Sequence, residues 1–153
     1  MSFNIRSATK KDLLACAKIL LEEFRKQGEE WTLDSSKERL AELMENNPDL
    51  CFCIELEGKI IGFVFAETYK FIKGNYLWIS EVAINSQHQG KGYGLKTLQF
   101  MEKLAKEKRF KVLTLVANIN EKAFKIYEKF GFKNTNYCFM EKELYFCRLS
   151  KHQ

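Results

Sequence analysis

The sequence predicts a single α/β domain of the α+β type, three layers thick, with helices on both faces of a mixed, mostly antiparallel sheet. Three observations predict it. Apolar residues at helical spacing fill the first part of the chain, β-branched and aromatic runs follow, and the last third reads strand, helix, strand, helix. A strand-helix-strand crossover implies a parallel pair within a sheet that is otherwise built from hairpins. The 153 residues suit one domain, spanning 1–153, at ~150 residues per domain.

Residues 3–7 read as a short strand. Thr9, with Asp12 three residues later, opens a helix that places Leu13, Ala17, Leu20 and Phe24 on one face and runs to Gln27, where Gly28 ends it. A second helix follows Asp34 or Ser35, turns Leu40, Leu43 and Met44 inward, and stops before Pro48, because the residue before proline disfavours helix. From Leu50 the period changes. Residues 50–57 and 59–71, separated by Glu57-Gly58-Lys59, predict an antiparallel hairpin. Residues 75–85 are nearly continuous in apolar character, which predicts a central strand covered on both faces. A helix over 94–108 turns Leu95, Leu98, Met101 and Ala105 inward, and 110–117 is another buried strand. Residues 120–130 form a helix ended by Gly131, and 132–138 and 144–149 are the final strands.

Composition narrows the classes of function. Hydrophobic residues make up 46% and aromatics 14%, enough for a core and contrary to a disordered chain. The net charge of +5 is spread along the chain, which suits an anionic ligand without forming a nucleic-acid stripe. No apolar run approaches the roughly 20 residues of a membrane helix, and residues 1–10 lack a secretory layout, so a cytoplasmic protein with no membrane and no nucleic-acid partner is expected. The five cysteines, Cys16, Cys51, Cys53, Cys138 and Cys147, contain no CxxC pair, and only His88 and His152 stand beside them. No metal is expected, and the thiols read as mostly buried, with Cys51 and Cys53 on one face of a strand.

Between the strand over 75–85 and the next helix lies Gln87-His88-Gln89-Gly90-Lys91-Gly92-Tyr93-Gly94. Glycines at alternate positions let the backbone turn tightly, gather N–H groups in one concavity and deliver them to a helix N-terminus. That is a phosphate-binding arrangement. It is not a P-loop, since Lys96-Thr97 follows Leu95 rather than glycine. Nor is it a dinucleotide fingerprint, because the spacing is GxGxG and the next strand ends in Val116-Ala117-Asn118 with no acidic residue. The competing reading is a plain strand-to-helix turn, against which stands the cost of about 1 kcal/mol for glycine inside a helix start.

Gln89-x-x-Gly92-x-Gly94 resembles the (Gln/Arg)-x-x-Gly-x-(Gly/Ala) signature of the GNAT superfamily of acyl-CoA N-acyltransferases. The stretch from Asn120 through Ala123 and Tyr127 to Gly131 and Phe132 resembles that family's second motif, and the element order fits over 3–149. The resemblance implies an N-acetyltransferase that moves an acetyl group from acetyl-CoA directly to a primary amine of a small molecule or protein. It implies a central strand-helix-strand-helix CoA-binding unit, in which Gln89, Gly90, Lys91, Gly92, Tyr93, Gly94, Leu95 and Lys96 hold the pyrophosphate. It further implies that pantetheine pairs with Val82, Ala83 and Ile84 where that strand splays from the next, that Asn120 and Ala123 line the other wall, and that Tyr127 points at the thioester sulfur.

Aminolysis of a thioester needs a neutral amine, a donor for the developing oxyanion and a proton for the leaving thiolate. The resemblance places the backbone N–H of Val82 or Ala83 at the acetyl carbonyl. A phenol of pKa ~10 can protonate a thiolate whose acid has pKa ~8.5, so Tyr127 suits the general acid; its other reading is a packing aromatic beside Ala123 and Phe130. Where family members often carry a carboxylate or His, this chain has Ser80, a departure from the pattern. Glu81 is adjacent, and two roles are open to it: a base acting directly or through water, or a structural ion-pair partner. Strand alternation turns it away from the acetyl group unless a bulge re-aims it, and a water chain through Ser80 is the remaining route. In the segment between the first two helices, Glu29, Glu30 and Trp31 suit a cationic acceptor such as a polyamine or a lysine side chain, against a solvated turn with one anchoring Trp. The resemblance also implies a homodimer through the last strands, with Phe139, Tyr145 and Phe146 exposed. The reading from a different class is a CoA-binding regulatory module without turnover. A basic nucleic-acid binder leaves the glycine loop unexplained.

Overall fold

Glu57 and Gly58 both take left-handed backbone angles, φ 53° and 79°, the geometry that matches the twist of two antiparallel strands and folds the chain back on itself. The computed structural model describes residues 2–28 and 30–146. Among these, five strands form one sheet: β1 (Phe3–Ser7), β2 (Cys51–Leu56), β3 (Lys59–Phe71), β4 (Gly74–Ile84) and β5 (Val112–Leu115). The helices are α1 (Leu13–Lys26), α2 (Leu33–Asn46), α3 (Tyr93–Glu107) and α4 (Lys122–Phe130). The spatial order is β1-β2-β3-β4-β5, antiparallel as far as β4, with β5 parallel to β4 across the α3 crossover.

Alternation along the strands divides the core between two faces. Cys51, Cys53, Phe63 and Phe65 meet Cys16, Ala17, Leu20, Leu40 and Leu43 of α1 and α2. Phe52, Val64, Ala66, Leu77 and Ile79 meet Leu98, Met101 and Ala105 of α3, joined by Tyr127 and Phe130 of α4. Helix, sheet and helix are the three expected layers. The Sγ atoms of Cys16 and Cys53 lie 3.7 Å apart, and that contact, with burial, holds the Cys16 thiol far above its ordinary pKa. Burial pushes Cys51 up to about 12. These thiols stay neutral and pack as small hydrophobes. Cys138 is exposed, and Cys147 lies outside the described residues.

Several expectations are corrected. The second helix starts a turn earlier than Asp34 or Ser35 suggests, because Thr32 Oγ1 accepts the Ser35 N–H at 3.0 Å and Ser35 Oγ accepts the Thr32 N–H at 2.9 Å. The strand over 75–85 is interior but not central, since β3 holds the middle of the sheet. The strand over 132–138 is absent, as is the described part of the one over 144–149; residues 147–149 lie outside the described residues. Propensity says that a segment suits a pleated surface, and a strand also needs a neighbour to take its N–H and C=O groups. Among the described residues no strand pairs with this stretch: Tyr137 packs edge-on against Phe71 at 5.6 Å, and Phe139, Tyr145 and Phe146 are 72%, 85% and 87% exposed.

One arginine joins the first elements. Arg6 of β1 donates from both terminal nitrogens to Asp12, at 2.8 and 2.9 Å, and from Nε to Glu55 of β2 at 2.6 Å. The Thr9 N–H donates to the same Asp12 carboxylate at 2.7 Å, fixing the entry to α1. Arg6 holds the buried Asp12 carboxyl well below the usual carboxylate range. Asp12→Asn is expected to cost about 2 kcal/mol at neutral pH, read as a lower urea midpoint. A depressed folded-state pKa gives stability that is present above the unfolded value of about 4 and lost as pH falls towards the folded one. The gap between the two proteins therefore narrows as pH drops below about 5.

Candidate active site

An extra residue in β4 sets the geometry of the site. Phe65 pairs with Glu81 and Ala66 with Ile79, so Ser80 stands unmatched as a β-bulge. Leu77 and Ile79 face α3, and strict alternation would send Glu81 the same way. The bulge resets the count: Val82 takes the α3 face, Ala83 turns towards α1 and α2, and Glu81 pairs with Arg39 of α2 at 3.3 Å. Ser80 Oγ donates to Glu67 Oε2 of β3 at 2.6 Å.

The bulge coincides with a parting of strands. The parallel ladder of β4 and β5 runs from Tyr76 and Val112 to Ile79 and Leu115 and stops there. Beyond it Val82, Ala83 and Ile84 keep their rungs to Val64, Phe63 and Gly62 of β3, while their other edge has no strand partner among the described residues, and this parting of β4 from β5 is the cleft. These are the residues expected to meet an extended ligand arm.

At the end of β4 the glycine loop leads into α3. Gly90 and Gly92 have φ of 74° and 86°, which other residues rarely adopt, and Gly92 is the N-cap of a helix that no side chain caps. The first N–H groups of α3, at Tyr93, Gly94 and Leu95, are thus turned to the loop with the positive end of the helix dipole. A Cβ at Gly94 would meet nothing within 4 Å, so neither its backbone nor its surroundings in the protein demand glycine. Gln89 anchors the loop, its Nε2 donating to the Ile84 carbonyl at 2.7 Å and to Glu23 of α1 at 3.2 Å. Lys91 and Leu95 are exposed. Tyr93 is buried and stacks on Phe3 at 5.3 Å, and the Lys96 ammonium lies 4.9 Å above that Phe3 ring. Thr97 Oγ1 is buried in a bond to the Tyr93 carbonyl at 2.8 Å.

Across the cleft, the Asn118 side chain accepts the Asn120 N–H at 2.9 Å and turns the chain into α4. Ala123 stands in its first turn, and Tyr127 follows on the half-buried face. Burial raises the Tyr127 phenol above its ordinary pKa, and the charge of Glu23 adds to the rise. The phenol therefore keeps its proton through the neutral range.

Of the expected acceptor residues, Glu29 lies outside the described residues, Glu30 is exposed, and Trp31 stacks on Phe24 at 4.7 Å as an anchor for the turn. The structure adds carboxylates that sequence reading missed: Glu67, Glu23, and Glu22, which accepts a hydrogen bond from Ser86. Glu67 had a signal. Counting the antiparallel register from the turn joining Phe71 to Gly74 puts Glu67 opposite Trp78, which makes Ser80 its same-face diagonal neighbour. Among the described residues there is no cluster of metal-ligating side chains, and no helix is long and apolar enough to cross a membrane.

The model of the acetyltransferase (GNAT) family matches residues 13–132. The spermine/spermidine N(1)-acetyltransferase of Bacillus subtilis (strain 168) is 28% identical over 141 residues, covering 87% of this chain and 89% of its own. Among solved structures, a possible acetyltransferase from Clostridium difficile 630 superposes with a TM-score of 0.79 at 19% identity, over 95% of this chain and 100% of that one. A second, from Clostridium acetobutylicum and described as a predicted acetyltransferase with acetyl-CoA, gives 0.76 at 22% identity, over 92% and 96%.

Gly62 keeps the cleft wall in place. A Cβ there would lie 2.6 Å from the Ala83 carbonyl oxygen and 2.7 Å from Ile84 Cδ1. Gly62→Ala must push β4 outward at the residues that line the cleft. The expected outcome is a loss of about 1–3 kcal/mol in urea unfolding, with the amide signals of Val82, Ala83 and Ile84 shifted most in NMR spectra.

Proposed function

The chain belongs to the GNAT acetyltransferase family and is an acyl-CoA-dependent N-acetyltransferase, and from that premise we propose that it carries an acetyl group from acetyl-CoA directly to a primary amine of a polyamine-like cation. One observation carries the reading. The bulge and the parting of β4 from β5 fall together at Ser80, between a glycine loop shaped for phosphate and a phenol that holds its proton. The acceptor class is favoured by Glu22, Glu23, Glu67 and Glu81, and by the similarity to a spermine/spermidine acetyltransferase.

In this reaction the pyrophosphate rests on the backbone of the glycine loop and the start of α3, and the pantetheine arm lies along Val82, Ala83 and Ile84, with Asn120 and Ala123 opposite. The main-chain N–H of Val82 or Ala83 polarises the acetyl carbonyl. The neutral amine attacks the carbonyl carbon, the C–S bond breaks, and Tyr127 gives its proton to the leaving thiolate. Glu81 is held by Arg39 on the acceptor side.

Thiol release from acetyl-CoA, measured against polyamines, aminoglycosides, amino acids and peptides, tests the proposal. A polyamine is expected to be acetylated, and Tyr127→Phe to lower kcat about 10²-fold with acetyl-CoA affinity unchanged. Gly94→Asp is expected to weaken acetyl-CoA binding without loss of stability, because its carboxylate repels the pyrophosphate assigned to this loop while its Cβ meets nothing in the protein within 4 Å. If acetyl-CoA binds and no amine is acetylated, the reading as a module without turnover replaces this one.

A further inference from the structure

We infer that Ser80 and Glu67 form the proton relay that deprotonates the acceptor ammonium, with Glu67 of β3 supplying the carboxylate that β4 lacks. The inference rests on the acetyl-transfer reading above and names a part that reading leaves open. A protonated amine has no lone pair for the thioester, so a base must stand where the amine arrives.

The neighbouring carboxylates are otherwise engaged. Glu81 is in an ion pair with Arg39 at 3.3 Å, and a proton taken there would leave the arginine without its counter-charge. Glu22 and Glu23 belong to α1 and brace the β4–α3 connection through Ser86 and Gln89. Glu67 differs. Its Oε2 accepts the Ser80 hydroxyl at 2.6 Å, the length of a charge-assisted O–H···O⁻ bond, so the hydroxyl hydrogen is already directed at the carboxylate. Ser80 is the bulge residue, one position past Ile79, the last rung to β5, so its bonded hydroxyl belongs to the point where β4 and β5 part.

A second observation points to a cation at the same place. Trp78 is the cross-strand partner of Glu67, and Tyr69, two residues along β3, meets it edge-to-face at 5.4 Å. Strand periodicity puts both rings on the face that carries Glu67, giving aromatic surface beside the carboxylate, the surroundings that favour an ammonium group. The charged and titratable groups around the relay are then Glu81 of β4, Arg39 of α2, Tyr69 of β3 and, at the loop end, Glu22 and Glu23 of α1.

The step balances. The ammonium N–H bond breaks and its proton passes to Ser80 Oγ while the Ser80 hydroxyl proton passes to Glu67 Oε2; the nitrogen lone pair then forms the C–N bond as the C–S bond breaks. Ser80 touches the reacting amine and is the catalytic residue. Glu67 acts through it and is a positioning and proton-storing residue.

The test is a pH profile of kcat/KM on the full chain, with acetyl-CoA and spermidine or whichever amine of the panel the wild type acetylates. Glu67→Gln keeps the shape and the bond from Ser80 but cannot take the proton. It is expected to fall roughly 10²-fold at neutral pH and to recover towards wild type as pH nears the amine pKa of about 10, where solution supplies the free amine. Acetyl-CoA affinity stays unchanged. Ser80→Ala, which removes one small hydroxyl, is expected to show the same profile, and the double variant to fall no further than the worse single one. A Glu67→Gln enzyme equal to wild type, or one weakened by the same factor at every pH, overturns the relay, as does Glu81→Gln alone reproducing the pH-dependent loss. If the wild type acetylates no amine, the proposed function falls and the relay with it.

Discussion

An unpaired strand edge inside a protein is a costly thing, and here everything distinctive about the site follows from leaving one. The parallel ladder between β4 and β5 ends at Ile79 and Leu115, although β4 continues to Ile84. The strand survives because β3 holds its other edge rung for rung, with Gly62 allowing the approach to Ala83 and Ile84 that a side chain would block. What faces the cleft is a row of main-chain donors and acceptors, which in the proposed reaction the extended amide-bearing arm of acetyl-CoA satisfies as a missing strand would.

The bulge at Ser80 acts at the same point. One inserted residue transfers Glu81 from the α3 face to the α2 face, where Arg39 receives it, while Ser80 stays on the face of Trp78 and donates to Glu67. For the proposed reaction this sets different groups on the two sides of the site. The loop and the first turn of α3 present N–H groups and a helix N-terminus, while Glu22, Glu23, Glu67 and Glu81 gather on the side of α1 and α2.

How much of this the sequence carries depends on how local each feature is. The glycine loop was legible because positive φ demands glycine residue by residue, and Gly90 and Gly92 are where the demand falls. Strand β3 was legible to its ends because two turns bound it. The start of α2 was misplaced because Thr32 and Ser35 cap each other reciprocally, a bond invisible until the chain is folded. The final strands were overread: apolar residues at 132–149 suit a sheet, yet pairing depends on a neighbour that the described residues do not provide. Glu67 is legible only across the ladder, because it belongs to β3 and faces Trp78 of β4. In the proposed relay a carboxylate absent from β4 is replaced across the ladder, where the register counted from the Phe71–Gly74 turn brings Glu67 beside Ser80.

That replacement has a geometric consequence for the proposed reaction. Tyr127 reaches the cleft from α4, within the cluster on the α3 face, whereas Glu67 and Ser80 stand with Glu81 on the face of α1 and α2. A closed sheet would keep the two apart. Acid and base can address one thioester only where the sheet itself is open, at the parting of β4 from β5, so the leaving thiolate and the arriving amine are served from opposite faces. Direct transfer with both substrates bound is the mechanism such an arrangement favours: each has its own face of the sheet, and the reacting atoms meet in the gap between the strands.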